Sequence, residues 1–65
     1  MRKFLLIVHH GDLRIVSHAY SADCGHNAIK TAYAYLTHAE KAFWWIYELN
    51  EDAMSWEHFT EGYRA

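Results

Sequence analysis

Small and apolar residues recur at steps of four and three from Gly25 through Ile29, Ala32, Leu36 and Ala39 to Phe43. That spacing draws a single stripe along a helix and predicts an α-helix over residues 21–41. Because most of the stripe is small, the helix can lie close against what it covers, and a sheet is the expected partner. Ser21 or Asp23 can cap its start by accepting from the open N–H groups of the first turn.

Two β-rich runs precede it, KFLLIVH at 3–9 and LRIVSHAY at 13–20, separated by Gly11-Asp12. They read as a hairpin with a two-residue loop, Gly11 supplying the positive φ of a tight primed turn. His10 then faces Leu13 and Val8 faces Ile15. One sheet face carries Phe4, Leu6, Val8, Leu13, Ile15 and Ala19, an apolar set for the helix to cover. The other carries Lys3, Leu5, Ile7, His9, Arg14, Val16, His18 and Tyr20. This second face is neither properly polar nor properly apolar, and little of so short a chain is left to cover it.

After the helix, Phe43-Trp44-Trp45-Ile46-Tyr47-Glu48-Leu49 has the composition of a strand. Phe43, Ile46, Leu49, Ala53 and Trp56 also fit helical spacing, and no turn former separates 39–42 from this run, so a continued helix is the alternative. As a strand it belongs beside the first, in an antiparallel sheet of order 2-1-3. Asn50 can then cap a short tail helix, with Glu51 and Asp52 in its first turn and Gly62 at its end. Trp56, Phe59 and Tyr63 would form that helix's apolar side. The predicted fold is a single α+β domain over 1–65, ββαβα, with ββαα as the alternative.

Composition sharpens this picture. Sixty-five residues hold one small core at most. An apolar fraction of 52% and an aromatic fraction of 17% compensate, since a few rings bury much area each. The same surplus suggests surface destined for a second copy or a partner. The absence of Pro and the presence of only three Gly exclude a disordered or linker-like chain. A single Cys24 cannot form an internal disulfide, which fits a reducing, cytoplasmic setting. The run at 4–8 is too short to span a membrane and lacks a signal-peptide continuation.

The net charge of −2 gives no global field for nucleic acid. Residues 1–41 carry five Lys/Arg against three Asp/Glu, whereas 42–65 carry five acids against Arg64 alone. The acidic half reads as a solvated face, with a docking surface as the sharper option.

The chemistry-bearing residues do not assemble into a motif. Six His residues (His9, His10, His18, His26, His38 and His58) invite a metal reading, but their spacing supplies no zinc set. Cys24 has no placed base. There is no Gly-rich phosphate loop and no nucleophile elbow, so no catalytic residue, metal or cofactor is assigned and enzyme activity is not expected.

Two strands, a helix, a third strand and a tail helix in one short chain resemble small phage-encoded proteins that bind and inhibit host enzymes. The resemblance covers the order of elements and carries no individual residue. The expectation is therefore a non-enzymatic, homo-oligomeric protein-binding domain, and the resemblance implies an inhibitor of a host enzyme or complex as its form. Its candidate binding residues are Leu5, Ile7, Arg14, Val16, His18 and Tyr20 on the hairpin, with Trp56, Glu57, Phe59 and Glu61 on the tail. The alternative is a single-stranded nucleic-acid module stacking bases on the hairpin face, with few cations to support it.

Overall fold

The computed structural model describes residues 1–65. Strand β1 (Arg2–His9) and strand β2 (Ile15–Ala22) are followed by helix α1 (Gly25–Tyr35) with a 3-10 turn (Leu36–His38) at its end, then by strands β3 (Ala42–Asn50) and β4 (Ser55–Arg64). The sheet order is β2-β1-β3-β4, antiparallel throughout, with α1 against one face. The α+β class, the strand at 43–49 and the order 2-1-3 are as expected; the main helix is present but shorter than 21–41, because Ser21 and Ala22 extend β2 and the helical turns end at His38.

The tail helix is not present: residues 55–64 form a fourth strand beside β3. Asn50 does behave like a cap, its Oδ1 accepting from the Ala53 N–H at 3.1 Å. The chain nevertheless turns back, with Met54 at φ 52° closing the connection. The apolar steps of three and four, Trp56 to Phe59 to Tyr63, arise from a β-bulge. Ile46 pairs with Thr60 while Tyr47 pairs with His58, which leaves Phe59 as the extra residue. The bulge turns Phe59 toward the helix and leaves Trp56 and Tyr63 on the far side, so a strand acquires helical spacing.

The first hairpin is also corrected. Its loop has three residues, Gly11 to Leu13: the His10 carbonyl accepts from Leu13 N–H at 2.9 Å, and the His10 N–H donates to the Arg14 carbonyl at 2.8 Å. The left-handed residue is Leu13 at φ 72°, and no glycine has positive φ. This is the three-residue hairpin in which a turn is followed by one left-handed residue. Asp12 secures it by accepting from the Arg14 N–H. One added loop residue shifts the register, so Val8 faces Val16 rather than Ile15. Every side chain of β2 thereby changes face. Val16, His18 and Tyr20 lie on the helix side, and Ile15, Ser17 and Ala19 lie on the other.

On the helix side β1 contributes Phe4, Leu6 and Val8, and β3 contributes Ala42, Trp44 and Ile46. The helix and the turn after it add Ala28, Ala32, Leu36 and Ala39. The stripe drawn from the sequence is thus largely correct, except that Phe43 leaves it for the opposite face. Neither Ser21 nor Asp23 caps α1; Cys24 occupies that position in extended backbone with no side-chain hydrogen bond, and Asp23 instead accepts from Asn27 Nδ2 at 2.6 Å. Tyr20 ties sheet to helix by donating its phenol to the Ala28 carbonyl at 2.8 Å, and His18 stacks on Tyr35 with ring centroids 4.6 Å apart.

Two glycines make room for rings in this layer. A Cβ on Gly62 would run into the Trp44 indole, its cross-strand neighbour. A Cβ on Gly25 would meet Phe59 Cζ at 2.5 Å, and Phe59 in turn packs edge-on against Phe4 with centroids 5.6 Å apart. At the sheet end, Arg2 donates twice to Glu48 at 2.6 and 2.7 Å and lies over the Phe4 ring. That bidentate pairing holds the Glu48 carboxyl below its ordinary pKa. Arg64 reaches back to the carbonyls of Ala39 and Thr37. No helix is long and apolar enough to cross a membrane.

Candidate functional site

Strand alternation dictates what the other side of the sheet presents. With Phe4, Leu6 and Val8 under the helix, Lys3, Leu5, Ile7 and His9 must point away. With Trp44 and Ile46 under the helix, Phe43, Trp45, Tyr47 and Leu49 must do the same. Beyond the bulge, β4 adds Trp56, His58, Glu61 and Tyr63. The β2 edge adds Ile15, Ser17, Ala19 and Ser21. No element of the chain covers this face.

The cross-strand register orders it into layers. Ile15, His9, Phe43 and Tyr63 form one row across the sheet, and Ser17, Ile7, Trp45 and Glu61 form the next. Ala19, Leu5, Tyr47 and His58 form the third. A fourth, at the sheet end, holds Ser21, Lys3, Leu49 and Trp56.

Neighbouring rings touch: Phe43 lies 4.7 Å from Tyr63 and 6.4 Å from Trp45 between centroids, and Tyr47 meets His58 edge-on at 5.9 Å. His58 also contacts Glu61 Oε1 at 3.0 Å. Ile15 is 67% exposed, Phe43 and Tyr63 each 53%, and Trp56 44%. Of the chain's eleven Phe, Trp and Tyr residues, five stand on this face, whereas two, Phe4 and Trp44, are buried in the core.

The face is uneven. Ser17, Ala19 and Ser21 make a low shelf along β2, while Trp45, Tyr47, Leu49, Trp56 and Tyr63 make a tall ridge on β3 and β4. At the sheet end a shallow depression of about 300 Å³ is lined by Lys3, Ala19, Ser21, Leu49 and Trp56 of this face together with Phe4 and Tyr20 of the helix side.

Of the binding residues expected from the sequence, the structure brings together Leu5, Ile7, Trp56 and Glu61 on this face. Val16, His18 and Tyr20 do not belong to it: the shifted register places them against the helix. Phe59 is part of the helix-side packing, Glu57 sits on the outer strand opposite Glu48, and Arg14 lies in the hairpin connection. Tyr63, expected on the apolar side of a tail helix, also reaches this face, from β4; sequence reasoning missed Phe43, Trp45, Tyr47 and Leu49. Their signal was present in the alternation of β3 and needed only the helix side to be assigned.

Elsewhere, the titratable groups stay scattered. No three His, Cys, Asp or Glu side chains converge on a point where an ion could sit. A polar depression of about 330 Å³ near the first hairpin connection gathers His10, Asp12, Arg14, His38, Glu40 and Lys41, but no side-chain hydrogen bond links these groups into a catalytic pair. Cys24 is a free thiol, half-buried. No family model matches the chain, and neither a curated protein nor a solved structure matches it.

Proposed function

We propose that this chain is a non-enzymatic protein-binding domain whose binding surface is the uncovered face of the sheet. One observation carries the reading: five aromatic rings and the aliphatic Leu5, Ile7, Ile15 and Leu49 share a continuous face that no element of the chain covers. Isolated exposed apolar residues are ordinary, but a contiguous patch on this scale marks a contact surface. Trp and Tyr anchors are what such contacts draw most energy from. Inhibition of an enzyme by occlusion is one form the binding can take. The element order that suggested it now ends in a strand, so that narrower form rests on the surface alone.

Nucleic acid is the second reading, favoured by the rings and opposed by the charge. Bases can stack on such a platform, but phosphates need a strip of cations beside it. Lys3 is the one Lys or Arg on this face, and it is 3.6 Å from Glu51. Tyr20, the one Phe, Trp or Tyr ring of the hairpin face expected to stack bases, is bonded to the helix.

Affinity capture from source cells with the native chain and with Trp45→Asp tests the first reading. A protein retained by the native chain and lost from the variant, with both equally folded by circular dichroism, is the expected result. Identical retained proteins would remove the face as the site. Salt-dependent quenching of Trp fluorescence by an oligothymidylate would shift the assignment to nucleic acid.

A further inference from the structure

The shape of the open face identifies its occupant, an inference that rests on the protein-binding reading above. We propose that a second copy of the chain packs on it, sheet against sheet, about a two-fold axis running parallel to the strands. A two-fold interface uses the same patch twice, so the patch must complement itself. This one does. The axis carries β2 of one copy over β4 of the other and β1 over β3, and the shelf of Ser17, Ala19 and Ser21 receives the ridge. An axis across the strands would instead stack ridge on ridge and leave both shelves empty.

The rows of the sheet give the pairing, apart from the rotation of about 30° usual between packed sheets. Ile15 lies over Tyr63 of the second copy, Ser17 over its Glu61 and Ser21 over its Trp56. Lys3 falls over Leu49, so no like charges meet, and the Ser17 hydroxyl can donate to the Glu61 carboxylate. The area suffices. Four strands about 4.8 Å apart and about eight residues long at roughly 3.3 Å each present about 500 Å² in projection. Both copies together bury about 1,000 Å², more with side-chain relief, which meets the lower bound for a biological interface of about 1,000 Å². The result is an eight-stranded sandwich with one helix on each outer side.

Sedimentation equilibrium over roughly 1 to 500 µM should show a reversible dimer, an interval that covers the affinities expected of such an interface. Ser17→Trp fills the shelf without touching the helix-side core. It should raise the dimer dissociation constant at least tenfold while the melting curve at the lowest concentration stays unchanged. Ser17→Ala, which leaves the shelf open, should dimerise nearly as the native chain does. Unchanged dimerisation of Ser17→Trp would overturn the ridge-over-shelf packing. A native chain that stays monomeric throughout would overturn the second copy as occupant. In that case the capture experiment separates the two readings: a partner lost on Trp45→Asp keeps the protein-binding assignment, and no loss removes both.

Discussion

The two faces of this sheet are made from different kinds of residue, and the usual allocation is reversed. Under the helix, five of the eleven buried residues are alanines, and the largest fully buried side chains are Phe4, Leu6, Leu36 and Ile46. Facing away are two tryptophans, two tyrosines and a phenylalanine. The helix explains the first set: Ala28 and Ala32 let it settle close to the sheet, and a close helix leaves little height for rings. Even so, of the rings that enter from the sheet, Phe4, Tyr20, Trp44 and Phe59, the last two need Gly62 and Gly25 beneath them. The large rings are therefore placed where nothing in the chain limits their height. A tightly packed face and a ring-rich face are two results of one choice of helix.

The widest expected difference between the faces comes from adjacent leucines. Leu6→Asp puts a carboxylate into the fully buried layer and should cost about 4 kcal/mol or more, enough to unfold so small a domain. Leu5→Asp, one residue away on the open face, should cost about 1 kcal/mol and leave a folded chain with weakened association. Circular dichroism melts and sedimentation of both variants provide the check; equal loss of fold would mean that both faces are core.

A smaller effect probes the tight side alone. Gly62→Ala forces a methyl group against the Trp44 indole and should destabilise by about 1–3 kcal/mol, read from urea unfolding. The same substitution on an open surface would be mildly favourable in a strand, so the sign itself tests the packing.

Tyr20→Phe tests the helix-side position of β2 and should cost about 1 kcal/mol through loss of the bond to Ala28. It should also alter alkaline stability. Burial, with the nearby Tyr35, pushes the Tyr20 phenol up to about 12. Its neutral form is therefore favoured in the fold, and this contribution is complete below the unfolded value near 10 and lost as pH rises through about 12. Melting curves between pH 9 and 12 should fall more steeply for the native chain than for Tyr20→Phe.

Least in size is Leu13→Gly. Leu13 is exposed and left-handed, so glycine should relieve strain and raise stability by up to about 1 kcal/mol in thermal melts, with the register of β2 unaltered.

Much of this architecture was legible in the sequence. The small-residue stripe marked the helix, and the composition of 43–49 marked the strand that extends the sheet. Two single-residue irregularities hid the rest. Leu13 in a conformation usual for Gly or Asn lengthened the hairpin loop by one and turned β2 over, so Val16, His18 and Tyr20 were expected on the wrong face. The bulge at Phe59 shifted the parity of β4 and produced the spacing of a helix. Neither leaves a pattern in a single sequence, because each is settled by tertiary pairing rather than by local preference. The site is half visible in the sequence: Leu5, Ile7, Trp56 and Glu61 follow from it, whereas the composition that marks β3 as a strand assigns its rings to neither face.

The sheet order has a kinetic consequence. β1–β2 and β3–β4 are local hairpins, each closed by a short connection, but β1–β3 pairs residues such as Leu6 and Ile46 across the whole helical segment. Closing that long loop carries the greatest entropic cost, so the two hairpins are expected to form early and their docking to limit the folding rate. Until they dock, Phe4, Leu6 and Val8 on one hairpin and Trp44 and Ile46 on the other are open to solvent alongside the rings of the outer face. The interval before docking is therefore when this chain is most exposed to aggregation, and substitutions at the β1–β3 seam act on its duration.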